Sequence, residues 1–463
     1  MGALKRSWNW LDKRLGWSKY IIKVIEHPVP ANVNWWYVLG SATLVAFIVQ
    51  VVTGVALAFT YVPAPNSAYE SLEFITMTAR LGNVVRGIHY WGASAMVVLI
   101  TLHMIRVFLM GSYKYPREMN WLVGVGLFFL TLGMAFTGQL LRWDQDAYWA
   151  IVVGAEQAGR VPFIGEFLAH ILVAGNTVGG ATLTRFYATH VFLLPALIFL
   201  LVGAHLYLVV IHGISEPPEP GHIVDPETYE EEYEELIEKE GIPFWPDAAW
   251  RDVVFALAVG TVVLVLAITI GPKELAARAD PTLIKVYPRP DWEFLWYFAI
   301  LALMPKWAEP FVIVGAPLLG IIGLISVPFI SNSGERSPGR RPWTIAIVGL
   351  SLILIVVLVQ EGERAPWSPK LSPEPVPAQI IEPLHGSELA GAYVFQNSGC
   401  IMCHLMGDAG GNRGPDLTHV GSRLDSDQLT WRILNGGHNM PAYNSILNPN
   451  EVTQLVAFLQ GQK

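Results

Sequence analysis

Both cysteines of this chain lie in one pentapeptide, Cys400-Ile401-Met402-Cys403-His404. C-x-x-C-H is the attachment signature of a c-type haem: two thiols form thioethers with the haem vinyls, and the adjacent histidine ligates the iron. A sixth ligand must come from the opposite haem face. Met440, in Asn439-Met-Pro-Ala-Tyr443, lies thirty-six residues past His404, enough chain to cross over, whereas Met406 is too near. His438 is the competing donor. A thioether ligand raises the potential relative to two histidines, which suits a downstream acceptor. A metal-binding C-x-x-C is the less specific reading.

Four further histidines belong to apolar runs. His89 and His103 are fourteen apart on one run, and His190 and His205 are fifteen apart on another. Fourteen helical residues return to nearly the same face about 21 Å further along. Each helix therefore offers one histidine at each of two depths. Pairing by depth puts His89 with His190 near the outer face and His103 with His205 near the inner face. Two noncovalent b haems, each held by two histidines, follow. A packing or pore role suits one isolated intramembrane histidine. It suits four at matched spacing poorly. Gly40 and Gly54, and again Gly124 and Gly138, are fourteen apart on two other runs. A haem edge packs closely where no side chain intervenes. Arg86 and Arg106 each sit three residues from a proposed ligand and can pair with a haem propionate. Ordinary interfacial snorkelling is the plainer alternative.

The elements that position these groups are membrane helices. The chain is 52% apolar and 15% charged because long stretches exclude charge. Seven runs, near 35–60, 90–110, 121–140, 187–211, 248–271, 309–331 and 342–360, approach the ~20 residues that a bilayer needs. Lys5, Arg6, Lys13, Arg14, Lys19 and Lys23 precede the first run. Lys114 and Arg117 follow the second, and Arg336, Arg340 and Arg341 follow the sixth. All fall on one side, which the positive-inside rule makes cytoplasmic. An odd span count then puts the C-terminus outside, where c-type haem is attached. The expected fold is all-α: a polytopic bundle of about seven spans plus a small soluble helical domain. The expected divisions are an amphipathic surface helix in 1–33, a four-helix haem-binding core in 34–215 and an acidic cytoplasmic linker in 216–247. A three-span part follows in 248–360, then a Pro-rich tether in 361–385 and a cytochrome c domain in 386–463. A cell-membrane location follows, and nothing points to nucleic acid.

With these residues in place, the chain resembles the cytochrome b family of quinol oxidoreductases over about residues 20–360. The resemblance is carried by Arg86-Gly-Ile-His89, Lys114-Tyr-Pro-Arg-Glu118, Trp143-Asp-Gln145 and Leu183-Thr-Arg-Phe-Tyr187. The fifteen-residue spacing and the lack of an eighth span look like the cytochrome bf branch, with its two parts fused through 216–246. That branch usually carries an extra inner haem on a cysteine; Val38 stands at the matching position, so that haem is not expected. Arg142 stands where the family usually has proline. Residues 386–463 look like a class I cytochrome c.

The resemblance implies an outer quinol pocket. The family's Pro-Glu-Trp-Tyr motif is matched by Pro290-Asp291-Trp292-Glu293. A carboxylate in an apolar pocket can accept a quinol proton. Asp291 holds the family's acceptor position and is expected to face the pocket; Glu293, at the tyrosine position, turns away, shares the role or takes it over. Gly154, Thr184 and Tyr187 should flank the pocket, and His212 is a candidate at an inner quinone site. The implied function is quinol:cytochrome c oxidoreduction: one electron crosses the membrane through two b haems to the inner quinone site, the other reaches the c haem, and protons are translocated. No cysteine remains for an iron–sulfur cluster, so a Rieske protein must come from a separate chain. The other implied partners are a second copy in a homodimeric core and a soluble or membrane cytochrome c or terminal oxidase as acceptor. The competing readings are a cytochrome b anchor linking a dehydrogenase to the quinone pool and a transporter with a haem-sensing domain.

Overall fold

The structure is a computed structural model that describes residues 2–18, 22, 25–175, 177–280, 289–305, 307–364, 375–411, 414–437, 440–444 and 446–463. Its described part is mostly helical, with a few short strands, as the apolar patterning requires. Among the described residues, seven helices are long and apolar enough to cross a membrane, and they are numbered here as spans one to seven. They run Trp35–Ala58, Gly82–Leu109, Glu118–Leu140, Gly180–His212, Phe244–Thr269, Glu309–Ile330 and Pro342–Arg364. Most extend past the apolar runs that reveal them. Span two begins at Gly82, because its polar first turns are held: Arg86 Nη1 donates to Thr76 Oγ1 at 2.9 Å and Nη2 to the Lys273 carbonyl at 2.8 Å. Thr76 belongs to a short helix, Ala68–Met77, that apolar run length does not reveal.

Spans one to four enclose a core of Leu39, Ala42, Phe47, Met96, Leu99, Leu127 and Ile198. Only one stripe of span four is covered, and spans six and seven are largely bare. Those faces suit lipid or further subunits.

Basic residues of the 114–117 and 336–341 segments share one end of the bundle, and most are buried. Lys114 Nζ donates to the Ser331 carbonyl at 2.9 Å and also to that of Ser333. Arg117 donates to the His212 and Gly213 carbonyls at 2.9 and 3.0 Å and to Tyr229 Oη at 2.7 Å. Arg336 and Glu216 form a buried ion pair. A buried charge is tolerated when most of its hydrogen-bonding capacity is used; these contacts use most of it, with Arg336 Nε left unpartnered. The segment after span four is thereby tied down. Its strand Gly241–Pro243 pairs with Pro28–Pro30, and Ile223–Val224 pairs with Gly334–Glu335.

At the opposite end, two long loops are laced together. The first carries helices Gln145–Gly159 and Gly165–Val173. Gln145 N donates to the Ala277 carbonyl and its Nε2 to that of Asp280. Residues 365–374 of the Pro-rich tether lie outside the described residues, and its last part carries a short helix, Ala378–Ile381.

The C-terminal domain folds around Phe395, Ile401, Met406, Leu429, Leu455 and Phe458. Helices Gly386–Asn397 and Pro449–Gly461 cross at Gly391, where an added Cβ would lie 1.9 Å from the Gln454 carbonyl oxygen. Overpacking of this kind typically costs about 1–3 kcal/mol. Gly391→Val should therefore lower the yield of covalently attached haem on a haem-stained gel while leaving the bundle's absorbance unchanged. Wild-type yield would contradict this crossing.

Candidate haem and quinol sites

The four bundle histidines meet in two pairs. His89 and His190 have ring centroids 6.4 Å apart, with planes inclined at 76°. His103 and His205 are likewise 6.4 Å apart, at 79°. Two metal–nitrogen bonds of about 2 Å each, with half a ring on either side, fill such a gap. The four glycines expected at haem edges each face one of these rings. An added Cβ would lie 3.1 Å from His103 at Gly40 and 3.2 Å from His89 at Gly54. It would lie 3.7 Å from His205 at Gly124 and 2.8 Å from His190 at Gly138.

Span four solves a register problem. Fifteen residues turn a regular helix about 60° past the face that fourteen nearly restore. Here the helix opens into a π-turn at Thr189–Leu193, around His190 itself. The wide turn absorbs one residue, so His190 and His205 meet partners only fourteen apart. Pro195 explains its place: without an N–H it cannot donate to the carbonyl one turn back.

Two threonines missed by the sequence reading orient the outer pair. Thr53 Oγ1 lies 2.9 Å from His89 Nδ1, and Thr137 Oγ1 lies 3.1 Å from His190 Nδ1. Fixing Nδ1 leaves Nε2 for a metal. The signal was available: Thr-Gly occurs at both outer glycines, and Leu39 and Val123 precede the inner ones. At the inner pair, Arg106 stacks on Tyr37 at 3.6 Å, with Nε and Nη2 buried and unpartnered. Such orphaned donors fit a haem propionate. Arg86 spends two donors on protein oxygens instead. His212 sits at the basic end of the bundle, its carbonyl bound by Arg117.

In the C-terminal domain, His404 Nδ1 lies 2.8 Å from the Pro415 carbonyl oxygen, which again leaves Nε2 free to ligate. Gly414 keeps that ring's surroundings open, since a Cβ would lie 2.4 Å from it. Cys400 and Cys403 flank the same buried turn, so the residues fit a covalent haem. Met440 packs against the domain core. His438 lies outside the described residues.

A cavity of about 240 Å³ opens beside the His89–His190 pair. Phe136, Trp149, Val153, Phe294 and Phe298 make most of its wall, with Gln139 and Gln157 among its polar members. Gly154 and Pro290 line it as expected. Thr184, Tyr187 and Trp292 do not: Thr184 is exposed, Tyr187 stacks on Tyr61, and Trp292 Nε1 reaches Ser94 Oγ at 3.3 Å. Asp291 is the N-cap of a twelve-residue helix, Trp292–Leu303, that lies outside the seven spans. Its carboxylate is engaged. Lys273 Nζ donates to it at 2.7 Å, and Arg142 Nη1 lies 3.6 Å away. Among the described residues, no cation forms an ion pair with Glu293, although Lys273 and Arg142 are near enough to act on it. Burial pushes its carboxyl up to about 7, and the nearby Asp291 charge adds to the rise.

Two imidazole pairs stacked in a membrane bundle, with a C-x-x-C-H domain beside them, make a membrane electron-transfer protein. A family model described as cytochrome b/b6/petB matches residues 24–214. Another, described as cytochrome C oxidase, cbb3-type, subunit III, matches residues 387–459. Cytochrome b6 of Heliobacterium mobile is 45% identical over 211 residues, covering 45% of this chain and 99% of that protein. The menaquinol:cytochrome c reductase cytochrome b subunit of Bacillus subtilis is 41% identical over 222 residues, covering 46% and 99%. A solved structure described as hyperthermophilic respiratory Complex III aligns with a TM-score of 0.66 at 27% identity, covering 77% of this chain and 91% of that chain. The chain belongs to the cytochrome b family, which implies haem b, and its C-terminal match implies haem c.

Depth pairing has a direct test. His190→Ala should remove the outer b-haem transition in a redox titration, and His205→Ala the inner one. Loss of the same transition in both variants would contradict the pairing.

Proposed function

We propose that this chain is the fused cytochrome b and cytochrome c subunit of a quinol:cytochrome c oxidoreductase. The observation that carries the reading is the pair of 6.4 Å imidazole gaps at two depths, with a quinol-sized apolar cavity beside the outer one. When bound, two b haems and one c haem supply one-electron carriers across and outside the membrane. The chain's residues then hold those groups, exclude water from the cavity and manage protons. Quinol is oxidised at the outer cavity, and its electrons part there: one crosses to an inner quinone site, while the other leaves through a Rieske protein on another chain. The basic end of the bundle faces the cytoplasm, and the cytochrome c domain faces outward. A homodimeric core and a cytochrome c or terminal oxidase as acceptor complete the proposed assembly.

Glu293, rather than Asp291, takes the proton in this reading. The quinol O–H breaks, the proton passes to the Glu293 carboxylate, and no electron moves in that step. Asp291 is already committed to Lys273 and Arg142. Neither Asp291 nor Glu293 is itself a lining residue, but Glu293 lies between Pro290 and Phe294, which are, and one turn before Tyr297 on the same helix. The charged and titratable groups around it are Asp291, Lys273 and Arg142 from the outer loops and Tyr90 from span two. Lys273 also reaches Asp146 at 3.6 Å, and both side chains are 31% exposed, giving the network an outlet to water.

Two measurements check this function. Acid–acetone extraction should remove two haems and leave one covalently bound. A third extractable haem, or a covalent haem attached before residue 380, would contradict the count. Quinol oxidation should rise with pH through about 7, because the accepting form of Glu293 is the ionised one. Glu293→Gln should slow it at least tenfold, about 1.4 kcal/mol of barrier, and remove that pH dependence. Asp291→Asn deletes a neighbouring negative charge, so its rising limb should move to lower pH. A limb abolished by Asp291→Asn and kept by Glu293→Gln would give the role to Asp291.

A further inference from the structure

Gln139 lies on the cavity wall at the end of span three, two residues past the threonine that orients His190. It is 93% buried, since its relative exposure is 7%. The Asp291 backbone N–H donates to its Oε1 at 3.1 Å, and that bond fixes which way the amide points. The other end of the amide has no partner: Nε2 is buried and makes no hydrogen bond. Among the described residues that line the cavity, Gln139 alone has a buried side-chain atom left in this condition. An unpaired buried N–H₂ costs free energy that a ligand oxygen can recover. Apart from Gln157 and Arg289, the remaining wall is aromatic and aliphatic, which suits a flat ring with polar oxygens at its edge.

We propose that Gln139 Nε2 is the donor that binds one oxygen of the quinol ring in the outer cavity. This rests on the quinol-oxidising function proposed above and names the group that recognises the substrate there. A neutral amide donor accepts either redox form. It donates to the hydroxyl oxygen of the quinol and to the carbonyl oxygen of the quinone. It also favours the oxygen anion left when a quinol proton departs, as a preorganised donor does for any developing oxyanion. The tie from Oε1 to the Asp291 N–H couples this donor to the turn that presents Glu293. Substrate anchor and proton acceptor are therefore held by one short stretch of backbone. Asp291 acts through that tie as a positioning residue, and its ion pairs with Lys273 and Arg142 keep the turn in place.

The two ends of the amide separate by substitution. Gln139→Glu keeps an oxygen to accept from the Asp291 N–H and removes the donor. Gln139→Met removes both. Membranes bearing the whole complex are assayed above neutral pH, where the new carboxylate is charged, with short-chain benzoquinols and naphthoquinols as substrates. The corresponding quinones serve as competitive inhibitors. Both variants should retain their haem spectra, lose at least tenfold in kcat/KM and weaken the quinone inhibition constant at least fivefold. Wild-type kcat/KM and inhibition in either haem-replete variant would overturn the assignment. A loss in Gln139→Met with none in Gln139→Glu would leave only the tie to Asp291 and would equally overturn it. If the wild-type complex shows no quinol-dependent reduction of its b haems, the quinol function itself fails, and this anchor with it.

Discussion

The bundle is organised around two gaps between facing imidazoles. A histidine in an apolar span must be neutral, oriented and given something to bind, or its ring nitrogens are a liability. Each pair here stands at the separation that one metal centre fills. That single distance constrains most of the surrounding sequence. It demands helices close enough to need glycine opposite every ring, at Gly40, Gly54, Gly124 and Gly138. It demands hydroxyls to fix the outer Nδ1 atoms, which Thr53 and Thr137 supply. It also forces span four to open at His190 so that both depths stay in register.

Charge is handled differently at the two ends of the bundle. At the basic end, Lys114, Arg117 and Arg336 act as staples that fasten loops to spans through carbonyl oxygens and Glu216. They are structural there, whatever they also do for topology. At the other end, Arg142 and Lys273 converge on Asp291. This neutralises one carboxylate of a closely spaced pair and leaves the second in a desolvated place. Two acids two residues apart thus acquire different environments, which is the condition for dividing positioning from proton transfer.

Much of this was legible in the sequence. The haem c signature is local, and the histidine and glycine spacings report on helix faces, so both survive being read in one dimension. Span limits were less legible. Hydropathy sees the lipid-facing stretch, whereas Gly82 to His89 is helical with Arg86 satisfied by Thr76 on the preceding helix and by the distant Lys273 carbonyl. The amphipathic helix Ala68–Met77 is too short and mixed to stand out. Arg142 and Asp291 each depart from the family's pattern, but only the fold shows that the two departures touch. Gln139 gave no signal at all. Its significance lies in one bonded oxygen and one unbonded nitrogen, a property of geometry rather than of residue type. The outer pocket also recruits fewer of the expected residues, because Thr184 and Tyr187 face away from it on a helix whose buried side is Leu183 and Phe186.

Electron paramagnetic resonance of the oxidised complex, followed through a potentiometric titration, tests the paired-imidazole arrangement most directly. Rings inclined at 76° and 79° belong to low-spin iron with strongly anisotropic spectra. Two such signals should be lost in two separate one-electron steps, alongside a third signal from the c haem. A single bundle signal, or the more rhombic spectra of parallel imidazoles, would contradict the arrangement.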